Sequence, residues 1–167
     1  MLSSIHIRFQ EEHAMKSLLF RPMTHADFPA CARELMAAFA EAPWSEVWTY
    51  EQALDRIDEI MSARVSRGVV CMDGDECVSM LSGRIMTYQD KKMFYIDEFS
   101  VHPAWQRQGV GSRMLAFLRE ALQKEPQPIN HMALVTTRGF PSVCFYEHNG
   151  FVVLPDELTM AGYVDWS

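Results

Sequence analysis

The spacing of apolar positions changes along this chain, and each change predicts a different element. Apolar residues recur at helical spacing over 28–39 and again over 53–65, and these two patterns predict helices. The second helix is expected to begin near Thr49, because Thr49 and Gln52 match a capping box. An apolar run from Ser17 to Met23 precedes both patterns and predicts a strand.

The period then shifts to that of β-structure. Runs over 69–72, 78–87 and 93–101 predict three strands, and Asp73-Gly74-Asp75 predicts a hairpin between the first two. The remaining elements are a helix over 109–124, a strand over 132–136, a helix over 141–148, and closing strands over 151–154 and 158–164. This order, β-α-α-β-β-β-α-β-α-β-β, predicts an α/β sandwich around one mixed sheet.

Composition narrows the classes of protein. The 167 residues fit one domain with a continuous core, and 49% apolar with 22% charged residues is typical of a globular protein. A net charge of −7 argues against a nucleic-acid partner and suits a cationic substrate. The first residues, 1–16, lack sustained periodicity and precede a second methionine at Met15, so we expect a loose extension before a domain over 17–167.

Cysteine and histidine positions argue against a metal site and a secreted protein, and the apolar runs are too short for a membrane protein. The four cysteines form no CxxC pair, and most lie in apolar runs, which predicts buried reduced thiols and a cytoplasmic location. The six histidines show no metal-ligand spacing. No apolar run approaches the length of a membrane span.

The strongest candidate for chemistry is the turn Gln106-Arg107-Gln108-Gly109-Val110-Gly111, between a strand and an amphipathic helix. The first turn of a helix leaves backbone N–H groups without partners, and its dipole favours an anion there. A dinucleotide fingerprint would need glycine where Met114 stands, and a P-loop would need GK[ST] where Gly111 is followed by Ser112 and Arg113. By itself the turn is a generic anion site.

Two motifs make the turn more specific. A strand ending in Val101-His102-Pro103 is followed by the pattern Q/R-x-x-G-x-G, and Phe145-Tyr146-Glu147-His148-Asn149-Gly150-Phe151 lies downstream. In this order the motifs resemble the GNAT acetyltransferase superfamily over roughly residues 17 to 165. The resemblance implies a single α/β domain with a mixed, mostly antiparallel central sheet and helices on both faces. It also implies acetyl-CoA as co-substrate and no metal.

The resemblance assigns the cofactor-binding residues. Backbone groups of Phe99, Ser100 and Val101 would pair with the pantetheine arm as an added strand. The amides of the turn would hold the pyrophosphate, and they belong to Arg107, Gln108, Gly109, Val110, Gly111 and Ser112. Many members carry asparagine seven residues before the tyrosine, where this chain has Gly139. The contact made by that asparagine is therefore missing or is replaced, for example by Arg138.

Acetyl transfer to an amine needs a base for the amine and an acid for the departing thiolate. Tyr146 matches the family's tyrosine acid, although an aromatic beside Phe145 is also an ordinary core residue. Asp97 and Glu98 are the candidate bases, adjacent carboxylates in an otherwise apolar strand. Neighbours on a strand point to opposite faces, so at most one is expected to face the acceptor. Asp97 aligns with an acceptor-binding aspartate in aminoglycoside 6'-N-acetyltransferases, and a structural salt bridge is an equal alternative for either residue.

Cys144 offers a covalent route, with His148 four residues on as its activating base. We rank this route low because a cysteine in a short apolar helix is usually packed. The segment Pro43-Trp44-Ser45-Glu46-Val47-Trp48-Thr49 joins the first two helices, and we expect Trp44, Glu46 and Asp97 to bind the acceptor. This segment also resembles the bacterial subgroup that includes aminoglycoside 6'-N-acetyltransferases.

The leading hypothesis is therefore an acetyl-CoA-dependent N-acetyltransferase that acetylates a primary amine of a small, cationic acceptor by direct attack. Two alternatives stay open, namely acetylation of protein lysines or N-termini and a catalytically silent CoA-binding sensor. The expected partners are a small-molecule amine and, as an open question, a second copy in a homodimer. Neither nucleic acid nor a membrane is expected.

Overall fold

The computed structural model describes residues 18–162 of the chain. Its centre is a five-stranded sheet in the order β1-β2-β3-β4-β5, antiparallel throughout except for the parallel pair β4–β5. The strands are β1 (Leu19–Pro22), β2 (Ser66–Asp73), β3 (Glu76–Tyr88), β4 (Lys91–Val101) and β5 (Met132–Ala133). A mixed, mostly antiparallel sheet was the expected architecture, and it is confirmed.

Four α-helices accompany the sheet, namely α1 (Phe28–Ala40), α2 (Tyr50–Met61), α3 (Val110–Gln123) and α4 (Pro141–His148). The backbone N–H of Gln52 donates to the hydroxyl of Thr49 at 3.2 Å, and the N–H of Thr49 donates to the Gln52 side chain at 2.9 Å. The predicted capping box is therefore present and starts α2 one residue later, at Tyr50. A short 3-10 turn at His25–Asp27 precedes α1, and another at Pro103–Trp105 follows β4.

Helices cover both faces of the sheet. One face packs Val70, Met72 and Met80 against buried residues of α1 and α2, such as Leu35 and Ile57, in one apolar cluster. On the opposite face, Phe20 of β1 meets α3, where its ring lies 6.4 Å from that of Phe117 and beneath the guanidinium of Arg113. The α1–α2 face also carries the polar residues that matter for function.

The described residues form two compact units, the first ending at Val135 and the second beginning at Thr136. The first contains the sheet and α1 to α3, and the second contains α4. The expected closing strands are wrong for the described part of the chain, because no strand forms over 151–162. Apolar side chains such as Val152 and Leu158 are exposed there, 78% and 86%. Alternating apolar residues make a strand only where a neighbouring strand pairs with their backbone.

Two expectations reach beyond the described residues. The loose extension over 1–16 lies outside them, as do the first residue of the predicted strand 17–23 and the end of the predicted strand 158–164. The described part of the first of these strands begins at Leu19.

Candidate active site

A β-bulge at Asp97 is the main irregularity of β4. In the ladder with β3, Ser82 pairs with Glu98 whereas Gly83 pairs with Ile96, so Asp97 is the extra residue. Gly83 permits this close approach, because a Cβ there would overlap the carbonyl oxygen of Tyr95 and lie 2.9 Å from Phe94 Cζ. Bulges redirect side chains and often lie beside active sites.

The bulge turns both candidate carboxylates to the same face of the sheet. Asp97 forms an ion pair with Arg84, which lies on the same face of β3 as Ser82. Glu98 is paired with Ser82 and accepts a 3.2 Å bond from Nε of Arg56, a residue of α2. The expectation that adjacent strand residues point to opposite faces is therefore wrong here, because a bulge interrupts the two-residue alternation.

The two carboxylates differ in their surroundings. The Arg84 side chain is 45% exposed, and its guanidinium carbon lies 5.0 Å from the centre of the Tyr95 ring. The two carboxylate side chains are similarly buried, 12% exposed for Asp97 and 14% for Glu98, and burial raises the pKa of Glu98. Arg56 opposes that rise by charge and hydrogen bonding, while Glu46 and Asp97 add to it. A carboxyl with a raised pKa is a stronger base than an ordinary glutamate.

A third carboxylate lies in the same layer and was missed from the sequence. Glu34 of α1 is 2% exposed, and its Oε2 accepts a 2.5 Å hydrogen bond from the hydroxyl of Ser100. Burial is the main cause that raises the Glu34 pKa to about 8, and the negative charge of Glu98 adds to it. A signal was present, since Glu34 falls on the apolar stripe of α1, between Cys31 and Leu35, where a charged residue is unusual.

The α1–α2 connection and the first turns of α2 line an open groove of about 610 Å³. Its lining residues are Glu46, Val47, Trp48, Gln52, Asp55, Arg56 and Glu59. The indole N–H of Trp48 donates to Oε2 of Glu46 at 2.7 Å, which fixes the direction of that carboxylate. Trp44, the expected acceptor-binding tryptophan, instead packs its ring 5.5 Å from that of Phe39. Of the two tryptophans in this connection, Trp48 lines the groove.

The glycine turn has the backbone shape of an anion cradle. Gly109 caps α3 with φ 82°, and Arg107 also has a positive φ of 59°. The helix starts at Val110, and its first hydrogen bond runs from the N–H of Arg113 to the Gly109 carbonyl at 3.1 Å. The amides of Val110, Gly111 and Ser112 therefore precede the first helical bond. This turn lies close after β4, where the side-chain amide of Gln106 donates to the Val101 carbonyl at 2.9 Å.

The pairing of β4 also changes at the bulge. The parallel ladder with β5 contains only Phe94 and Tyr95, which precede Asp97. The segment from Phe99 to Val101 follows the bulge and continues to pair with β3. On this same side, the hydroxyl of Ser79 in β3 donates to the Ser100 carbonyl at 2.6 Å. The second half of β4 thus extends past the end of its parallel neighbour.

The second unit contains Tyr146. Its ring lies edge-on to those of Phe145 and Phe151, at 5.2 and 5.3 Å between centres, and the Phe151 N–H donates to the Tyr146 carbonyl at 3.0 Å. These contacts hold the ring in an aromatic cluster of its own unit. Cys144 is exposed, so the expectation of a packed cysteine is wrong. Its side chain lies on the solvent-exposed side of α4.

Metal binding and membrane insertion can be assessed for the described residues only. Among residues 18–162, no group of three or more His, Cys, Asp or Glu side chains could hold a metal ion. None of the helices in this part of the chain is long and apolar enough to cross a membrane. The three buried cysteines, Cys31, Cys71 and Cys77, are free thiols.

Comparison with known proteins places these features in a family. Residues 64–153 match the sequence profile described as Acetyltransferase (GNAT) domain, which includes the bulge, the glycine turn and Tyr146. No curated protein matches the chain in sequence.

Solved structures share the fold at low sequence identity. A possible acetyltransferase from Clostridium difficile 630 superposes with a TM-score of 0.74 at 12% identity, covering 89% of this chain and 99% of the other. The aminoglycoside 6'-N-acetyltransferase of Acinetobacter haemolyticus gives 0.68 at 12% identity, with 88% and 99% covered. An aminoglycoside acetyltransferase from an uncultured soil metagenomic sample, solved in complex with sisomicin, gives 0.66 at 14% identity, with 89% and 96% covered.

Proposed function

This chain belongs to the GNAT acetyltransferase family, and on that premise we propose that it moves an acetyl group from acetyl-CoA to a primary amine of a small, cationic acceptor. The observation that carries the proposal is the bulge at Asp97, which turns two carboxylates to the same face of the sheet. The loop–α2 groove adds three more carboxylates, Glu46, Asp55 and Glu59, against one arginine. Such a surface favours a positively charged amine.

In the reaction we propose, the neutral amine attacks the acetyl carbonyl carbon directly, the N–C bond forms, and the C–S bond to CoA breaks. Glu98 accepts the proton that the ammonium loses, since burial raises its pKa above that of an ordinary glutamate and makes it a stronger base. Asp97, held by Arg84, contributes a fixed negative charge for the acceptor. For the proton that the thiolate receives we propose Tyr146, on the family resemblance, and the second proton of the amine, lost from nitrogen as the C–S bond breaks, restores the phenol.

For acetyl-CoA we propose two sets of backbone contacts. The amides from Arg107 to Ser112 would hold the pyrophosphate, which the positive φ of Gly109 and the start of α3 at Val110 support. The segment from Phe99 to Val101 would pair with the pantetheine arm, which the short ladder between β4 and β5 supports.

The acceptor class is the less constrained part of the proposal. We propose Trp44, Glu46 and Asp97 as acceptor-binding residues, with Trp48 orienting Glu46 through its 2.7 Å hydrogen bond. The soil acetyltransferase solved with sisomicin, an amine-bearing compound, supports an acceptor of this chemical class. The free buried thiols Cys31, Cys71 and Cys77 support a reducing compartment such as the cytoplasm.

The direct test follows thiol release from acetyl-CoA across a panel of polyamines, aminoglycosides, amino acids and lysine peptides. We expect turnover with small multiply charged amines and none with acetyl-CoA alone. Tyr146→Phe should lower kcat by about 100-fold if the phenol is the acid, because general acids contribute roughly that much. The exposed tyrosine Tyr88, changed to Phe, is the matched control. Tight acetyl-CoA binding without turnover on any amine would contradict the proposal.

A further inference from the structure

Glu34 is held against the part of β4 that follows the bulge. Its Oε2 accepts the Ser100 hydroxyl at 2.5 Å, and the Ser79 hydroxyl donates to the Ser100 carbonyl at 2.6 Å. Ser100 is 7% exposed and Ser79 is fully buried. The side chain and the carbonyl of Ser100 are therefore both held by buried partners, one from α1 and one from β3.

The surroundings of Glu34 disfavour a negative charge on it. Among the described residues no Lys, Arg or His forms an ion pair with Glu34. The groups that face it are the carboxylate of Glu98 on β4 and the thiol of Cys77 on β3, with Cys31 one turn earlier on α1. Arg56, from α2, is occupied by Glu98. A buried carboxyl without a cation is far more stable in its neutral form.

In the described part of the chain, buried polar atoms without a hydrogen-bond partner are concentrated around Glu34 and the sheet face that it contacts. Within residues 18–162, two buried side-chain polar atoms have no partner, Glu34 Oε1 and Ser82 Oγ. Ser82 of β3 lies opposite Glu98, and Ser100 of β4 lies opposite Met80. The two serines therefore belong to adjacent cross-strand pairs on the same face of the sheet. Buried polar atoms are nearly always satisfied, and exceptions are common at functional sites. The neutral carboxyl has a proton to donate and a serine oxygen can accept one.

We propose that Glu34 is a positioning residue for acetyl-CoA, which as an uncharged carboxyl holds Ser100 and thereby fixes the segment of β4 from Phe99 to Val101 for the pantetheine arm. This inference rests on the proposed function, because it assumes that the arm pairs with that segment. Glu34 itself touches neither substrate. It acts on cofactor affinity through a single hydrogen bond from a neighbouring element.

The first experiment measures the acetyl-CoA Kd by calorimetry and kcat by thiol release for E34L, S100A and the double variant. We expect each single variant to bind acetyl-CoA about fivefold to tenfold more weakly, the usual effect of one lost hydrogen bond, and E34L, which removes no group that touches substrate, to keep kcat at saturation nearly unchanged. The double variant should bind no more weakly than either single one, since both remove the same bond. Glu120→Gln, an exposed glutamate on α3, is the control.

The second experiment uses E34Q, which keeps the size of the side chain and an oxygen that accepts from Ser100 but cannot ionise. For the unsubstituted protein, the acetyl-CoA affinity should weaken as pH rises through the raised pKa of Glu34, about 8, because the layer must then open to hydrate a charge beside Glu98. In E34Q the affinity should stay flat. The CoA phosphates are already ionised there, since their second pKa is about 6.

Three outcomes would overturn the inference. They are equal acetyl-CoA affinity in S100A and the unsubstituted protein, losses that multiply in the double variant, and an alkaline weakening that E34Q shares. If E34L does not fold, S100A and E34Q still decide the question. Failure of acetyl-CoA to bind the unsubstituted protein would instead overturn the proposed function, and the inference with it, so the two failures are distinguishable.

Discussion

The two halves of β4 are built in different ways. Before the bulge, Phe94 and Tyr95 pair with β3 on one side and with β5 on the other, and Phe94 is fully buried. After the bulge, the strand continues to pair with β3, and the side chains that hold it come from other elements. Arg84 of β3 binds Asp97, Arg56 of α2 binds Glu98, and Glu34 of α1 binds Ser100.

The first half of β4 therefore contributes mainly to stability, and the second half mainly to chemistry. The first half is held by two ladders and apolar burial, which are insensitive to pH. The second half is held largely by charged and polar groups whose strength depends on ionisation, and it leads into the glycine turn. Substitutions in the first half should therefore alter the free energy of unfolding, and those in the second half should alter kinetics and pH profiles.

The largest effect is expected for Phe94→Ala. Removing a fully buried aromatic ring should lower the free energy of unfolding by about 3–5 kcal/mol, through lost burial and a residual cavity. Urea unfolding would measure it. The pH profile of the remaining activity should keep its shape, and a displaced acid limb would show that the two halves are not separable.

Gly83→Val should destroy the bulge itself. Any Cβ at this position overlaps the Tyr95 carbonyl, so the β3–β4 pairing must shift, at a cost of about 3 kcal/mol, near the upper end for overpacking. We expect a matching fall in unfolding free energy together with loss of acetyl transfer. Gly162→Val is the control, because a Cβ there meets nothing within 4 Å. A Gly83 variant with full activity would contradict the importance of the bulge.

Glu98→Gln should lower kcat by about 100-fold or more, the contribution expected of a general base, with little loss of stability. The rate of this variant should no longer fall as the pH is lowered. A base works only when ionised, and the raised pKa of Glu98 places that fall, the acid limb, at higher pH than for an ordinary glutamate. Asp97→Asn is the matched comparison, and it should raise the acceptor KM while keeping the limb. A reversal of the two results would make Asp97 the base.

The smallest effect is expected for Arg56→Gln. Arg56 lowers the Glu98 pKa by charge and by a hydrogen bond, so its removal should raise that pKa further. The acid limb of kcat/KM should therefore move to higher pH, with an unchanged plateau at high pH. Arg84→Gln, which removes the partner of Asp97, should leave the limb in place. An unmoved limb in Arg56→Gln would show that Glu98 is not the titrating base.

Much of the architecture follows from local patterns. The helical spacing over 28–39 predicted α1 to within one residue, and the capping box at Thr49 placed the start of α2. The glycine turn was also predictable, because its backbone requires a positive φ at Gly109 and a helix immediately after it. These features depend on residues a few positions apart, so the sequence alone determines them.

Contacts between distant elements decided the rest. The bulge depends on the register between Ser82 and Glu98, and the alternation of β4 gives no sign of it. Glu34 meets Ser100 across 66 positions of sequence, and its burial in α1 is what keeps it neutral. The apolar run over 151–154 is not a strand, because a strand needs a neighbour that the local sequence cannot supply. The residue types for acetyl transfer were readable from the sequence, whereas which carboxylates share one face of the sheet was set by packing between α1, α2 and β4.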